Sequence, residues 1–262
     1  SGKVVVVTGA ANGFGRLISE KCAAGGAAVV GIDVNADDLD SVVAGIRAAG
    51  GQALAQVADV TDLAQLKAAA AAAVETFGAV DVLVNNAGVM PLAYFADHEK
   101  AWQRWHQAID INIKGVVNGI CAVYDQMIAQ GRGQVVNISS IYGNGGISGA
   151  GVYSATKAAV TAISDALRVE TQGRIKVTTV KPTGVFGTNL AGGTANQTAI
   201  MDLAGQPGPP LVERQQLFFG IERQVVHRHG REHAIGKGGD QGVAVVRGAE
   251  GGVEPPAFSR GV

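Results

Sequence analysis

Short apolar runs rich in β-branched residues alternate along this chain with longer stretches whose apolar residues recur at helical spacing. The runs at residues 4–8, 28–33, 53–57, 80–85, 134–139 and 175–180 are almost continuously apolar, the pattern of strands covered on both faces. Helical periodicity occupies 15–24, 36–49, 63–77, 102–130 and 152–170, and Gly25-Gly26, Gly50-Gly51 and Gly78 lie just beyond three of these segments, where they read as C-caps. The alanine run at 68–73 looks like low complexity, but Leu63, Leu66, Val74 and Phe77 keep helical spacing around it and predict a closely packed helix. Strand and helix in strict alternation predict an α/β fold: a doubly wound, Rossmann-type parallel sheet of six strands with helices on both faces.

Composition narrows the picture. A chain of 262 residues, 47% apolar, can bury one large core, and no linker-like stretch divides it, so a single domain over 1–262 is expected. Basic and acidic residues nearly balance, 21 against 22, without a long block of either sign, which disfavours nucleic acid as a partner. The opening Lys3-Val4-Val5-Val6-Val7-Thr8 lacks the pattern of a secretory signal and no apolar run is long enough to span a bilayer, so no membrane partner and a cytoplasmic location are expected. The two cysteines, Cys22 and Cys121, are far apart in helix-like surroundings and read as small core residues.

Thr8-Gly9-Ala10-Ala11-Asn12-Gly13-Phe14-Gly15 follows a buried strand and opens an amphipathic helix, where unpaired backbone NH groups and the helix dipole favour a pyrophosphate. Gly9 permits a tight turn, Gly13 removes a side chain where phosphate approaches, and Gly15 lets helix and strand pack closely. The spacing differs from GxGxxG, and in a chain with 38 glycines the turn alone is also compatible with an ordinary tight loop. Asp33 ends the second strand, where a carboxylate can accept from both hydroxyls of an adenosine ribose while repelling a 2'-phosphate, favouring NAD over NADP. It can equally cap the next helix. Asp59 and Val60, after the third strand, carry the same two readings: bracketing the adenine, or capping the helix at 63–77.

Tyr153 and Lys157 stand four residues apart in a helical stretch, on one face and about one turn apart. A free tyrosine has a pKa of about 10, and bringing it near neutrality corresponds to about 4 kcal/mol in favour of the phenolate. Two desolvated positive charges, an ammonium and an oxidised nicotinamide, can supply that; one exposed lysine cannot. Taken alone, such a pair is also a common feature of a helix surface.

Together with Thr8-Gly9, Gly13 and Gly15, with Asn85-Asn86-Ala87-Gly88, Asn112, Ser139-Ser140 and Tyr153-Ser154-Ala155-Thr156-Lys157, the chain resembles the shorter, ~250-residue branch of the short-chain dehydrogenase/reductase family. These motifs occur in the family's order from the first strand to about Leu190. The resemblance implies an NAD(P)(H)-dependent oxidoreductase that interconverts a secondary alcohol and a ketone, with NAD the favoured cofactor and no metal. It implies that Tyr153 gives or takes the alcohol proton, that Lys157 holds the nicotinamide ribose and depresses the tyrosine pKa, and that Ser140 hydrogen-bonds the substrate oxygen. Asn112 would kink the long helix and hold a water linking Lys157 to solvent. Asn86, Ala87 and Gly88 would pass close to the adenosine half of the cofactor. Ser139 would face elsewhere, because strand neighbours alternate. Members of the family pair through their C-terminal end, so a homodimer or homotetramer is implied.

The chain departs from the family after the sixth strand, where Lys181-Pro182-Thr183-Gly184-Val185-Phe186-Gly187-Thr188 holds one residue more than the usual Pro-Gly and threonine. Val185 and Thr188 are the candidates for the cofactor's carboxamide. From about Gly205 the resemblance fades into a divergent segment over 205–262, glycine-dense at 236–252, in which only 242–246 resembles a final strand. His227, His229 and His233 suggest a metal, but Arg228 and Arg231 put positive charge beside any cation. Ile141, Tyr142, Gly146, Tyr94, Phe186 and Leu190 are expected to line a largely apolar substrate pocket. Two other readings stay open here: a non-catalytic nucleotide-binding sensor, and a chain inactivated by its abnormal C-terminal end.

Overall fold

The computed structural model describes residues 2–183 of the chain. Strand β1 (Val4–Thr8) lies inside a six-stranded parallel sheet, with β2 (Ala28–Asp33) and β3 (Gln52–Val57) to one side. On the other side follow β4 (Val82–Asn85), β5 (Gln134–Ile138) and β6 (Lys176–Val180), giving the order β3-β2-β1-β4-β5-β6. The direction of winding reverses between β1 and β4, which opens a crevice at the carboxyl ends of those two strands. The connecting helices are α1 (Gly13–Ala24), α2 (Ala36–Ala48), α3 (Leu63–Phe77), α4 (His98–Ile109), α5 (Gly115–Ala129) and α6 (Gly151–Glu170).

The valine run of β1 shows why the expected doubly wound fold is the one adopted. Val4 and Val6 enter a cluster with Leu66 and Ala73 of α3, Val123 and Met127 of α5 and Leu167 of α6. Val5 and Val7 point the other way, into a cluster with Ala23 of α1 and Leu39, Val42 and Ile46 of α2. Alternate residues of one strand thus feed two cores, and a strand apolar at every position needs helices over both faces. Burying one such valine is worth about 1.5–3 kcal/mol.

Several boundaries differ from the sequence expectation. The single helix expected over 102–130 begins earlier, at His98, and consists of α4 and α5 joined by a π-helical turn (Asp110–Lys114). Asn112 causes that widening: its amide is tied to the backbone of Val89 and to Thr156, outside the helix, and draws its own turn outward. The capping alternative for Asp33 and Asp59 is not what occurs. The caps are Asn35, whose side chain accepts from Asp38 N, and Asp62, which accepts from Ala64 N and Gln65 N. Gly78 ends α3 in the left-handed conformation, as a C-cap glycine should. Cys121, expected in the core, is exposed, because α5 turns Val116, Gly119, Val123 and Met127 inward and leaves residue 121 outside that stripe; Cys22 is half-buried.

Among the described residues no helix is long and apolar enough to cross a membrane. Val185, Thr188, Phe186 and Leu190, the histidines at 227, 229 and 233, and the divergent segment 205–262 lie outside the described residues.

Candidate active site

The carboxyl ends of β1 and β4 are joined by a clasp of short hydrogen bonds. Thr8 Oγ1 accepts from Asn86 N and Ala87 N, each at 3.0 Å, and Asn86 Nδ2 donates to Thr8 O at 2.9 Å and Gly9 O at 3.3 Å. Asn86 therefore shapes the glycine turn with its side chain. Gly9 holds a φ of +67°, and a Cβ on it would lie 2.9 Å from Ala87 Cα; on Gly15 it would fall 1.9 Å from Gly9 O. No side chain larger than hydrogen fits at residue 15 without rebuilding the turn.

Asn12, the residue before α1, makes no side-chain cap, unlike Asn35 and Asp62 at the next two helices. The first amides of α1 consequently have no partner from their own cap, beside a turn whose Gly13 has a φ of +52°. That combination fits an anion such as a pyrophosphate, which satisfies the amides and the positive end of the helix dipole together. Phe14 is half-buried in the first turn of α1. Asp33 flanks the same turn: its Oδ2 accepts from Ala11 N and its Oδ1 from Asn35 N, both at 3.0 Å. Asp59 forms a local turn with Thr61 N, and Val60 is buried against Gly115, with its carbonyl accepting from Asn118 Nδ2 at 2.9 Å.

A second constellation sits at the end of β5. Tyr153 and Lys157, in the first two turns of α6, are only 3% and 4% exposed, and the Lys157 Nζ is 5.7 Å from the tyrosine ring centroid. The helix spacing seen in the sequence thus becomes a buried pair. Lys157 Nζ donates to Ile138 O at 2.9 Å. A Cβ placed on Gly88 would lie 3.2 Å from Asn112 Oδ1 and 3.5 Å from Lys157 Nζ, so these three residues meet at one point. Asn112 is completely buried; its Oδ1 accepts from Val89 N, and its Nδ2 donates to Val89 O and Thr156 Oγ1. With both amide protons committed, that side chain anchors the turn.

Burial dominates the protonation of this pair. It pushes Lys157 down to about 8, because the ammonium loses its hydration. It also pushes the Tyr153 phenol above its ordinary value, opposed by a hydrogen bond with Ser140 and reinforced by the neighbouring Tyr142 phenol. The rings of Tyr142 and Tyr153 meet edge to face, with centroids 6.4 Å apart.

Ser139 and Ser140 have different partners. Ser139 is buried with its Oγ 2.8 Å from Lys157 O and 3.1 Å from Thr161 Oγ1. The backbone stays extended through Ser140, whose hydroxyl pairs with Tyr153 instead. Thr161 and Gly143, which also touch Lys157, carried no sequence signal of their own. An apolar cleft of about 130 Å³ opens nearby, lined by Tyr94, Phe95, Trp105, Ile147 and Val152 among others. It includes Tyr94 but none of Ile141, Tyr142 and Gly146, and it does not reach Ser140, Tyr153 or Lys157.

Residues 3–199 match the family model for short chain dehydrogenases. The chain is 39% identical over 186 residues to the 2,5-dichloro-2,5-cyclohexadiene-1,4-diol dehydrogenase LinX of Sphingobium indicum, covering 71% of this chain and 74% of that protein. It is 37% identical over 222 residues to the glycine betaine reductase ATRR of Emericella nidulans, covering 84% of this chain but spanning only 17% of that much longer protein. Among solved structures, a short chain dehydrogenase/reductase from Burkholderia phymatum in complex with NAD superimposes with a TM-score of 0.70 at 32% identity, covering 80% of this chain and 74% of that one. A metagenomic short-chain oxidoreductase in complex with NADP gives 0.65 at 33% identity, covering 71% and 84%. A match over three quarters of the sequence, with the same sheet and the same order of motifs, makes this chain a member of the short chain dehydrogenase family.

Proposed function

We propose that this chain transfers a hydride between a nicotinamide dinucleotide and a secondary alcohol or ketone, with Tyr153 as acid and base. The observation that carries this reading is the buried Tyr153–Lys157 pair beside Ser140, one crevice away from a helix terminus fit for pyrophosphate. When bound, the nicotinamide ring supplies the hydride acceptor or donor. The protein supplies orientation and the proton. Ser140 offers its hydroxyl to the substrate oxygen, and Tyr153 Oη collects the hydroxyl proton during oxidation or returns it during reduction. Protein groups alone leave Tyr153 protonated, since burial outweighs Ser140. The phenolate therefore depends on Lys157 as an ammonium together with the positive charge of an oxidised cofactor, in a site closed to water.

The family's relatives in complex with NAD and with NADP both share this fold. Asp33 supports NAD here, because a 2'-phosphate would meet its carboxylate while ribose hydroxyls can donate to it. Gly9, Asn12, Gly13, Phe14 and Gly15 would wrap the pyrophosphate, and Asp59, Val60 and Asn86-Ala87-Gly88 would flank the adenosine.

A panel of secondary alcohols and ketones, followed by absorbance with NAD(H) and NADP(H) in parallel, tests the proposal. Turnover that Tyr153→Phe abolishes, with cofactor binding retained, is the expected result. Undiminished turnover in that variant would refute the role of the phenol, and a preference for NADP would refute that of Asp33.

A further inference from the structure

Three consecutive residues at the end of β5 take hold of α6 at three points. The Ile138 carbonyl accepts from Lys157 Nζ, the Ser139 hydroxyl donates to the main-chain carbonyl of the same lysine at 2.8 Å, and the Ser140 hydroxyl pairs with Tyr153. Ser139 has backing. Thr161 Oγ1 lies 3.1 Å from Ser139 Oγ and 3.2 Å from Lys157 O. Each hydroxyl has a single proton, so with Ser139 donating to the carbonyl, Thr161 donates to the same carbonyl or to the Ser139 oxygen. Gly143 closes the opposite side: a Cβ on it would fall 2.8 Å from the Lys157 carbonyl carbon and 2.9 Å from its oxygen.

From outside the helix, Ser139 and Gly143 thus grip the peptide of Lys157 itself, whereas Asn112 and Asn137 tie α6 through the side chains of Thr156 and Ser164 and the rest of its buried face is held by packing. Apolar packing is non-directional and tolerates small axial shifts of a helix; a buried hydrogen bond to the main chain does not. Lys157 and Tyr153 act over a few ångströms, so a small shift of α6 along β5 changes how strongly the ammonium favours the phenolate.

We infer that Ser139, backed by Thr161, is a positioning residue that fixes α6 against β5 and so sets the reach of the Lys157 ammonium to the Tyr153 phenol. This rests on the acid/base reading of Tyr153, and the test separates the two. The Tyr153 titration is followed by tyrosinate absorbance in the parent, Ser139→Ala, Ser139→Thr and Thr161→Val proteins, each with and without Tyr153→Phe, so that the difference isolates one of the four tyrosines. The titration is run with saturating oxidised cofactor and no substrate, because without that cation burial holds the phenol above its ordinary value, where Lys157, near 8, is no longer an ammonium. Ser139→Ala is expected to raise the Tyr153 midpoint by about half a pH unit or more, Thr161→Val by less, and Ser139→Thr, which keeps the hydroxyl, to restore it.

In turnover, Ser139→Ala is expected to lower kcat about tenfold with KM and cofactor Kd within about twofold, and to move the rising limb of alcohol oxidation to higher pH. A midpoint and pH limb identical to the parent, with only a lower Tm, would reduce Ser139 to ordinary packing and overturn the inference. Should Ser139→Ala fail to fold, an unmoved midpoint in Thr161→Val overturns it instead. Full activity in Tyr153→Phe would sink the acid/base reading, while the titration would still report on the clasp.

Discussion

The two edges of the candidate site, at the carboxyl ends of the inner strands β1 and β5, solve opposite problems with opposite materials. At the β1 edge the working surface is backbone: a glycine turn, the first amides of α1 without a side-chain cap, and Asn86 employed to hold the turn in shape. At the β5 edge the working groups are side chains, Ser140, Tyr153 and Lys157, buried among Ser139, Thr161 and Asn112. Backbone amides present a fixed partial charge that does not titrate, which suits a permanently anionic group. Titratable side chains respond to burial and to neighbouring charge, which suits a proton that has to move. The comparison implies that damage at β1 acts through space and damage at β5 through protonation.

The largest effect should come from the β5 edge. Tyr153→Phe removes the proposed proton carrier and should lower kcat by about 10²–10⁴-fold with little change in Tm, as stopped assays and thermal melts would show. A comparable loss of cofactor binding would blur the division between the edges.

Gly15→Ala probes the other edge. Its Cβ would meet Gly9 O at 1.9 Å, so the turn has to move, costing about 1–3 kcal/mol in stability, or more, together with the Tm increase that NAD should produce in the parent. Urea titration with and without NAD measures both, and an unaltered NAD-induced shift would contradict the backbone role.

Lys157 ties stability to pH at the β5 edge. Its folded pKa, near 8, lies below the unfolded value of about 10.4, so between these limits the unfolded chain binds more protons and stability rises with pH. Relative to Lys157→Met, the parent should gain about 1 kcal/mol between pH 8 and 9, with the trend continuing to about 10. Above about 10 the raised phenol of Tyr153 acts the other way, since the folded state then keeps a proton that the unfolded state has lost. A flat difference between pH 8 and 9 would mean that the ammonium is not desolvated.

The smallest effect is expected at Asp33. Asp33→Asn keeps an acceptor for Ala11 N but loses the charge, and should shift the NAD to NADP preference several-fold without altering Tm by more than a few degrees. Unchanged preference would leave the carboxylate a purely local role.

Much of this was legible in the chain. Strands apolar at every position require helices on both faces, and period 3.6 between them locates those helices, because both patterns are local consequences of backbone geometry. The spacing of Tyr153 and Lys157 likewise placed them on one helix face, and the motif order pointed to the family. What the sequence by itself could not determine was which polar side chain meets which. Asp33 against Asn35 as the cap, the hold of Ser139 on the Lys157 carbonyl, the convergence of Gly88, Asn112 and Lys157, and the exposure of Cys121 all follow from contacts between distant segments. Those contacts exist only once β1, β4 and β5 lie side by side, since a hydrogen bond or a buried charge is a property of two groups in space and no run of residues carries it alone.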